Sequence, residues 1–166
     1  MLENLVSLND HSLPYPDTMH PIVVHFVIAM VLFAFLCDVI GYFTRSHRLF
    51  EVSWWNMFFA TISIFIAIIF GQFEAGLAQP YNAVEPALNL HTFLGWSLSG
   101  ILAAITAWRY VIRSRNPEKI SVYYLAASLL LTAIVGIQVY FGDELVWVYG
   151  LHTLPVVEAM KEGLLQ

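Results

Sequence analysis

Four long apolar stretches separated by short polar connections dominate this chain. They occupy residues 21–43, 53–75, 89–111 and 121–142. Each is long enough to carry an α-helix across about 30 Å of hydrocarbon, at about 1.5 Å per residue. Runs such as Ile62–Phe70 have a strand-like local composition. The length of the stretches and their lack of polar–apolar alternation favour spanning helices instead. Pro21 and Pro86 fall at helix starts, and Pro117 in the turn between the third and fourth spans. A short outer helix is predicted over 155–162, opened by Pro155 and ended near Gly163. The pattern is that of an all-α, integral membrane bundle of four transmembrane helices, forming one domain over 1–166. It contains no internal repeat beyond hydropathy and no low-complexity segment.

Composition agrees. Of the 166 residues, 59% are hydrophobic and 11% charged. A soluble domain of this length has too little interior to hide that much apolar surface, so the lipid bilayer is the expected solvent and first partner. Residues 1–18 carry no basic residue and no apolar core, so no cleaved signal peptide is read there; the first span would serve as an uncleaved anchor with a translocated acidic tail. The single cysteine, Cys37, excludes an intrachain disulfide and reads as a small buried apolar residue.

Charge orients the bundle. Arg45 and Arg48 lie in the first connection, and Arg109, Arg113, Arg115 and Lys119 in or beside the third; Lys161 alone lies elsewhere. Both connections are on one side of a four-span protein, and basic loops are retained in the cytoplasm. Both termini then lie on the non-cytoplasmic side, together with Glu3, Asp10, Asp17, Glu85, Asp143, Glu144, Glu158 and Glu162. The net charge of −5 describes this polarity and gives no support to nucleic-acid binding. Trp54, Trp55, Trp108, Tyr110, Tyr123 and Tyr124 mark the cytoplasmic interface, and Tyr81, Tyr140, Trp147 and Tyr149 the outer one. Asp38, near the cytoplasmic end of the first span, reads as structural, paired with Arg45 or another arginine there.

The candidate chemistry lies at the outer end. Counted from helix starts near Pro21 and Pro86, His25 lies about 6 Å inside the first helix and His91 at about the same depth in the third, and Glu74 ends the second at a similar level. Ionisable groups inside spans face the bundle interior, where they are paired or functional. His20 precedes Pro21, and His152 follows the last span and could fold back over the mouth. His11 and His47 read as solvent-exposed. Gly95, Ser99 and Ala103 follow His91 along one face, and Ala67, Gly71, Glu74, Ala75 and Ala78 form a comparable stripe. Such faces serve close helix packing, or leave room for a flat macrocycle; both readings stand. Two imidazoles at one depth suit axial ligation of a haem iron, and two or three with a carboxylate suit a non-haem metal. No CxxCH motif is present, so a haem would be a non-covalent haem b. The absence of HExxH, GxSxG, P-loop and dinucleotide motifs removes support for hydrolase and nucleotide-driven functions.

One resemblance covers nearly the whole chain. His20–Pro21–Ile22–Val23–Val24–His25–Phe26, with Ile28–Ala29, resembles the opening HPxxVHFPIA pattern of the predicted membrane proteins of domain of unknown function 2231. Gly71, Glu74 and Gly76 at the end of the second span, His91 opening the third, and the stretch Gly142–Gly150 agree with it. The last resembles that family's closing GGxLVYxxG pattern. Val27 stands where the pattern has proline, and Asp143 where it often has glycine. The resemblance implies four transmembrane helices in a bacterial inner (plasma) or thylakoid membrane, and is greatest to members from photosynthetic bacteria. It implies no established activity, though the redox modules found beside some relatives make a haem or electron-transfer role the expectation for the group.

Three functions are weighed. The leading one is a small b-type haem protein that passes electrons near the outer face. Its axial ligands would be His25 and His91, with Glu74 tuning the site, Gly95 making room, and His20 or His152 capping it; His20 and His152 are equally candidate metal ligands. The second is a non-catalytic structural or assembly subunit of a photosynthetic or respiratory complex, with no cofactor of its own. The third is a small proton-coupled transporter. An electron carrier or subunit is favoured over an enzyme. Partners would be other membrane subunits, a redox partner or further copies of the chain.

Overall fold

The computed structural model describes residues 19–78, 80–151 and 153–165. Four long helices follow in order, α1 (Met19–Thr44), α2 (His47–Ala78), α3 (Glu85–Arg115) and α4 (Val122–Trp147), and a short α5 (Leu154–Lys161) ends the chain. All four long helices are apolar and long enough to cross a bilayer. Among the described residues there is no β-strand.

The short connections make neighbouring helices antiparallel. The bundle closes as a ring in which α1 meets α2 and α4, and α3 meets α2 and α4. The tightest turn joins α1 to α2. Arg45 takes a left-handed φ of 56°, and Ser46 N–H donates to the Gly41 carbonyl at 3.1 Å. This closes the last turn of α1 as a Schellman-type cap does, with arginine where glycine is usual. α3 opens with Pro86 in its first turn. At the start of α4 the Ser121 side chain accepts from Tyr124 N–H.

Each long helix turns one narrow stripe inward, at alternating spacings of three and four. On α1 it runs His20, Val24, Val27, Val31, Ala34, Asp38; on α2 Phe50, Ser53, Met57, Ala60, Ile64, Ala67, Gly71, Glu74. On α3 it includes His91, Gly95, Leu98, Leu102, Thr106 and Arg109, and on α4 Tyr124, Ser128, Leu131, Val135, Gln138, Gly142 and Leu145. This spacing keeps nearly aligned helices in contact along their length. The middle of the stripes is dry: Val27, Val31, Ala34, Met57, Ala60, Ile64, Leu98, Leu102, Leu131 and Val135 form one core. Ala34 and Ala60, both with no exposed surface, let helix backbones approach, which is how helices associate in lipid, where burial away from water supplies no drive. Large apolar side chains such as Phe33, Phe43, Phe73, Phe93 and Trp96 point outward, as lipid-facing groups do. The stripes become polar at both ends.

All four long helices outrun the hydrophobic stretches that predict them, α4 running on to Trp147. α2 starts at His47 and α3 continues to Arg115, because the extra turns carry an ion pair. Arg113 Nε and Nη2 donate to Glu51 Oε1 and Oε2, each at 2.8 Å, and the guanidinium sits 5.5 Å from the Trp54 ring centre. The pair is partly solvated, so Arg113→Ala is expected to lower the unfolding midpoint only slightly. Repeating the melt in about 1 M salt, which screens exposed charges, should erase most of the difference.

Candidate functional site

At the end of the bundle opposite the basic loops, the helices enclose a cavity of about 560 Å³. Its lining is mainly apolar, with His20, Glu74, His91 and Gln138 among its polar groups. Both α1 and α4 contribute outward-facing residues to its rim, including His25, Val146 and Trp147.

His20 reaches across from the first turn of α1 to α2. Its Nδ1 lies 2.8 Å from the Ala67 carbonyl. A carbonyl only accepts, so Nδ1 carries the hydrogen, and the neutral ring leaves Nε2 with a free lone pair. The ring rests against Gly71, one turn after Ala67. A Cβ at Gly71 would stand 2.9 Å from His20 Cε1 and 3.0 Å from Nδ1, closer than side chains pack. Gly71→Ala is therefore expected to push His20 off the Ala67 carbonyl while leaving α2 helical. Nitrogen-15 chemical shifts of the imidazole, measured on the labelled variant, would show the lost Nδ1 hydrogen bond.

His91 is held from α4. Gln138 Nε2 donates to the His91 carbonyl at 3.0 Å and lies 3.2 Å from both ring nitrogens. Two glycines make the space. A Cβ at Gly142 would meet His91 Cε1 at 3.2 Å, and one at Gly95 would meet Gln138 Nε2 at 3.3 Å. The His20 and His91 ring centroids are 6.5 Å apart, with the ring planes nearly perpendicular at 85° in an edge arrangement.

The structure thus gathers His20, Glu74, His91 and Gly95 around one cavity, but it does not set His25 opposite His91. His25 is exposed at the rim, and its Nδ1 pairs with the Pro21 carbonyl of its own helix. His20 and His25 are five residues apart, about 140° around the helix, so only one can lie on the inward stripe. The stripe takes His20. His152 lies outside the described residues. Among the described residues no three His, Cys, Asp or Glu side chains converge as a bare metal ion requires.

A second polar layer, near the basic loops, was not read as a unit from the sequence. Arg109 and Asp38 are 1% and 0% exposed. Arg109 Nη2 lies 3.5 Å from Asp38 Oδ1 and donates to the Phe50 carbonyl at 3.0 Å. The guanidinium sits between the Phe50 and Tyr124 rings, 5.5 and 5.4 Å from their centres. Arg109, not Arg45, is the partner of Asp38. Tyr124 is wholly buried and Trp54 nearly so, so at this level both side chains turn into the bundle. The missed signal was again the stripe: Asp38 and Arg109 fall in register with the core positions of their helices, whereas an interfacial residue need not.

These features define a polytopic helical membrane protein with a histidine-lined cavity at one end and a buried ion pair at the other. The chain belongs to the family described as predicted membrane protein of domain of unknown function 2231, whose sequence model matches residues 16–155. No curated protein and no solved structure matches it.

Proposed function

We propose that the cavity binds one b-type haem between His20 and His91, and that the protein transfers single electrons near that end of the membrane. The observation that carries this reading is the pairing of the two rings. Imidazoles bound on opposite sides of one iron, at a metal–nitrogen distance of about 2 Å, place their centroids about 6 Å apart. Those of His20 and His91 are 6.5 Å apart. Three further observations support it. His20 Nδ1 is anchored on a carbonyl, the outer contact that commonly orients a ligating histidine and frees its Nε2. Among the described residues two imidazoles, those of His20 and His91, come together inside the cavity, which suffices where a macrocycle supplies the other four donors. The cavity volume is in the range that encloses a cofactor-sized molecule.

A haem here would supply an iron that cycles between ferric and ferrous states. The protein's part would be to hold the rings, through the Ala67 carbonyl and Gln138, and to keep the pocket apolar. Glu74 and Asp143 line the cavity and, among the described residues, no arginine or lysine does, so the anionic edge of the macrocycle would belong at the rim and not beside these carboxylates. The basic end would be cytoplasmic, placing the cavity near the outer face of a bacterial plasma or thylakoid membrane. A reduced-minus-oxidised absorption spectrum of the protein in mild detergent, with iron analysis of the same sample, tests the reading. A b-type signal near one per chain is expected; an iron-free sample with no haem bands overturns it.

One observation favours a second reading, a subunit of a larger membrane assembly. Gly100 on α3 and Gly136 on α4 are exposed, and a Cβ at either would meet nothing within 4 Å. Such outward glycines let a helix from another chain approach closely. Purification with a stoichiometric partner and without haem would decide for it.

A further inference from the structure

Four helices bring polar side chains to one level near the basic loops: Asp38 from α1, Ser53 from α2, Arg109 from α3, and Tyr124 and Ser128 from α4. None is more than 4% exposed. The ion pair and the Phe50 carbonyl use one oxygen of Asp38 and one nitrogen of Arg109. Asp38 Oδ2, Arg109 Nε and Nη1, and the hydroxyls of Ser53, Tyr124 and Ser128 have no hydrogen-bond partner in the protein. Ser53 and Tyr124 approach the Asp38 carboxylate, and Ser128 approaches Tyr124, but without bonding geometry.

The two serines are informative. Thr44, Thr61, Ser97, Ser99, Ser114 and Thr132 all turn their hydroxyls onto a carbonyl of their own helix. Ser53 and Ser128 make no such bond, and their buried hydroxyls have no other partner in the protein. Buried polar groups are nearly always partnered, and where the protein supplies no partner an internal water does so, given two or more polar contacts. The free groups also select the ligand. Arg109 offers N–H donors, Asp38 an acceptor, and the three hydroxyls can do either. Arg109 repels a cation and Asp38 an anion, so the site suits a small neutral molecule that both donates and accepts.

We infer that Asp38, Arg109, Ser53, Tyr124 and Ser128 form a second binding site, which holds a small cluster of water inside the half of the bundle nearest the basic loops. The bound water completes the hydrogen bonding of the ion pair. Phe50, Ile120 and Tyr124 pack together at this level. The site does not depend on what fills the histidine cavity.

Hydroxyl-radical labelling by X-ray pulse, read by mass spectrometry on the full-length protein in lipid nanodiscs, tests this. Radicals form from water, so a buried side chain beside held water is oxidised despite its burial. Tyr123 is exposed and Tyr124 is not, which makes the neighbouring pair an internal standard. With held water, Tyr124 is expected to be oxidised within about threefold of the rate of Tyr123. In the double variant Asp38→Leu/Arg109→Leu the Tyr124 rate should fall about tenfold while that of Tyr123 stays. If that variant does not fold, the wild-type ratio decides alone. A wild-type Tyr124 rate about tenfold or more below that of Tyr123, or one unchanged in the double variant, overturns the inference.

Discussion

Arg109→Leu is expected to destabilise the bundle by about 3–5 kcal/mol, because it leaves the Asp38 carboxylate buried without its counter-charge. Asp38 has no exposed surface, and its ion pair is with Arg109. The guanidinium also fills the space between Phe50 and Tyr124, so the variant loses packing as well as charge. The double variant Asp38→Leu/Arg109→Leu should recover most of the loss, since two apolar groups replace two charges and no charge is stranded. Unfolding by a denaturing detergent, followed by circular dichroism, checks both. If the double variant is as unstable as the single one, the effect belongs to packing and not to the pair. Arg109→Lys should rescue poorly, because a point ammonium cannot reach Asp38 and the Phe50 carbonyl while stacking between two rings.

The second large effect concerns the cavity. His20→Ala and His91→Ala should each remove the haem spectrum, with bound haem falling at least about tenfold, whereas His25→Ala should retain it. Loss in the first two would not be a by-product of unfolding. His20 joins α1 to α2 through a single hydrogen bond to Ala67, a contact that contributes about 1 kcal/mol net. The variants should therefore keep their helical spectrum while losing the cofactor. Full absorption in His20→Ala together with its loss in His25→Ala would reverse the ligand assignment and require α1 to be rotated from the position described.

Depth and facing direction separate what could be read from the chain and what could not. Lengths and hydropathy place the four helices, because each must span the same thickness of hydrocarbon and satisfy its own backbone there. They also place His20, His25, Glu74 and His91 near one end. Depth alone makes His25 the natural partner of His91, since it lies further into the apolar run than His20. Rotation about the helix axis decides otherwise. The three-four stripe that carries Val27, Val31 and Ala34 inward also carries His20 and Asp38, and leaves His25 at the rim. That stripe is present in the sequence, but apolar residues surround α1 on every side, so hydrophobicity alone does not mark the inward one.

By itself, then, the sequence determined the solvent of this protein, the number of its helices and the level of its ionisable groups, all of which depend on the one-dimensional distribution of apolar length. Only the tertiary structure decided which groups meet. It set His20 opposite His91, placed Gln138 on His91, and brought Arg109 from a basic cluster into the interior beside Asp38. Those pairings depend on how four helices are turned against one another, and the packing of small side chains such as Ala34, Ala60 and Gly71 sets that rotation where lipid exerts no preference between apolar faces.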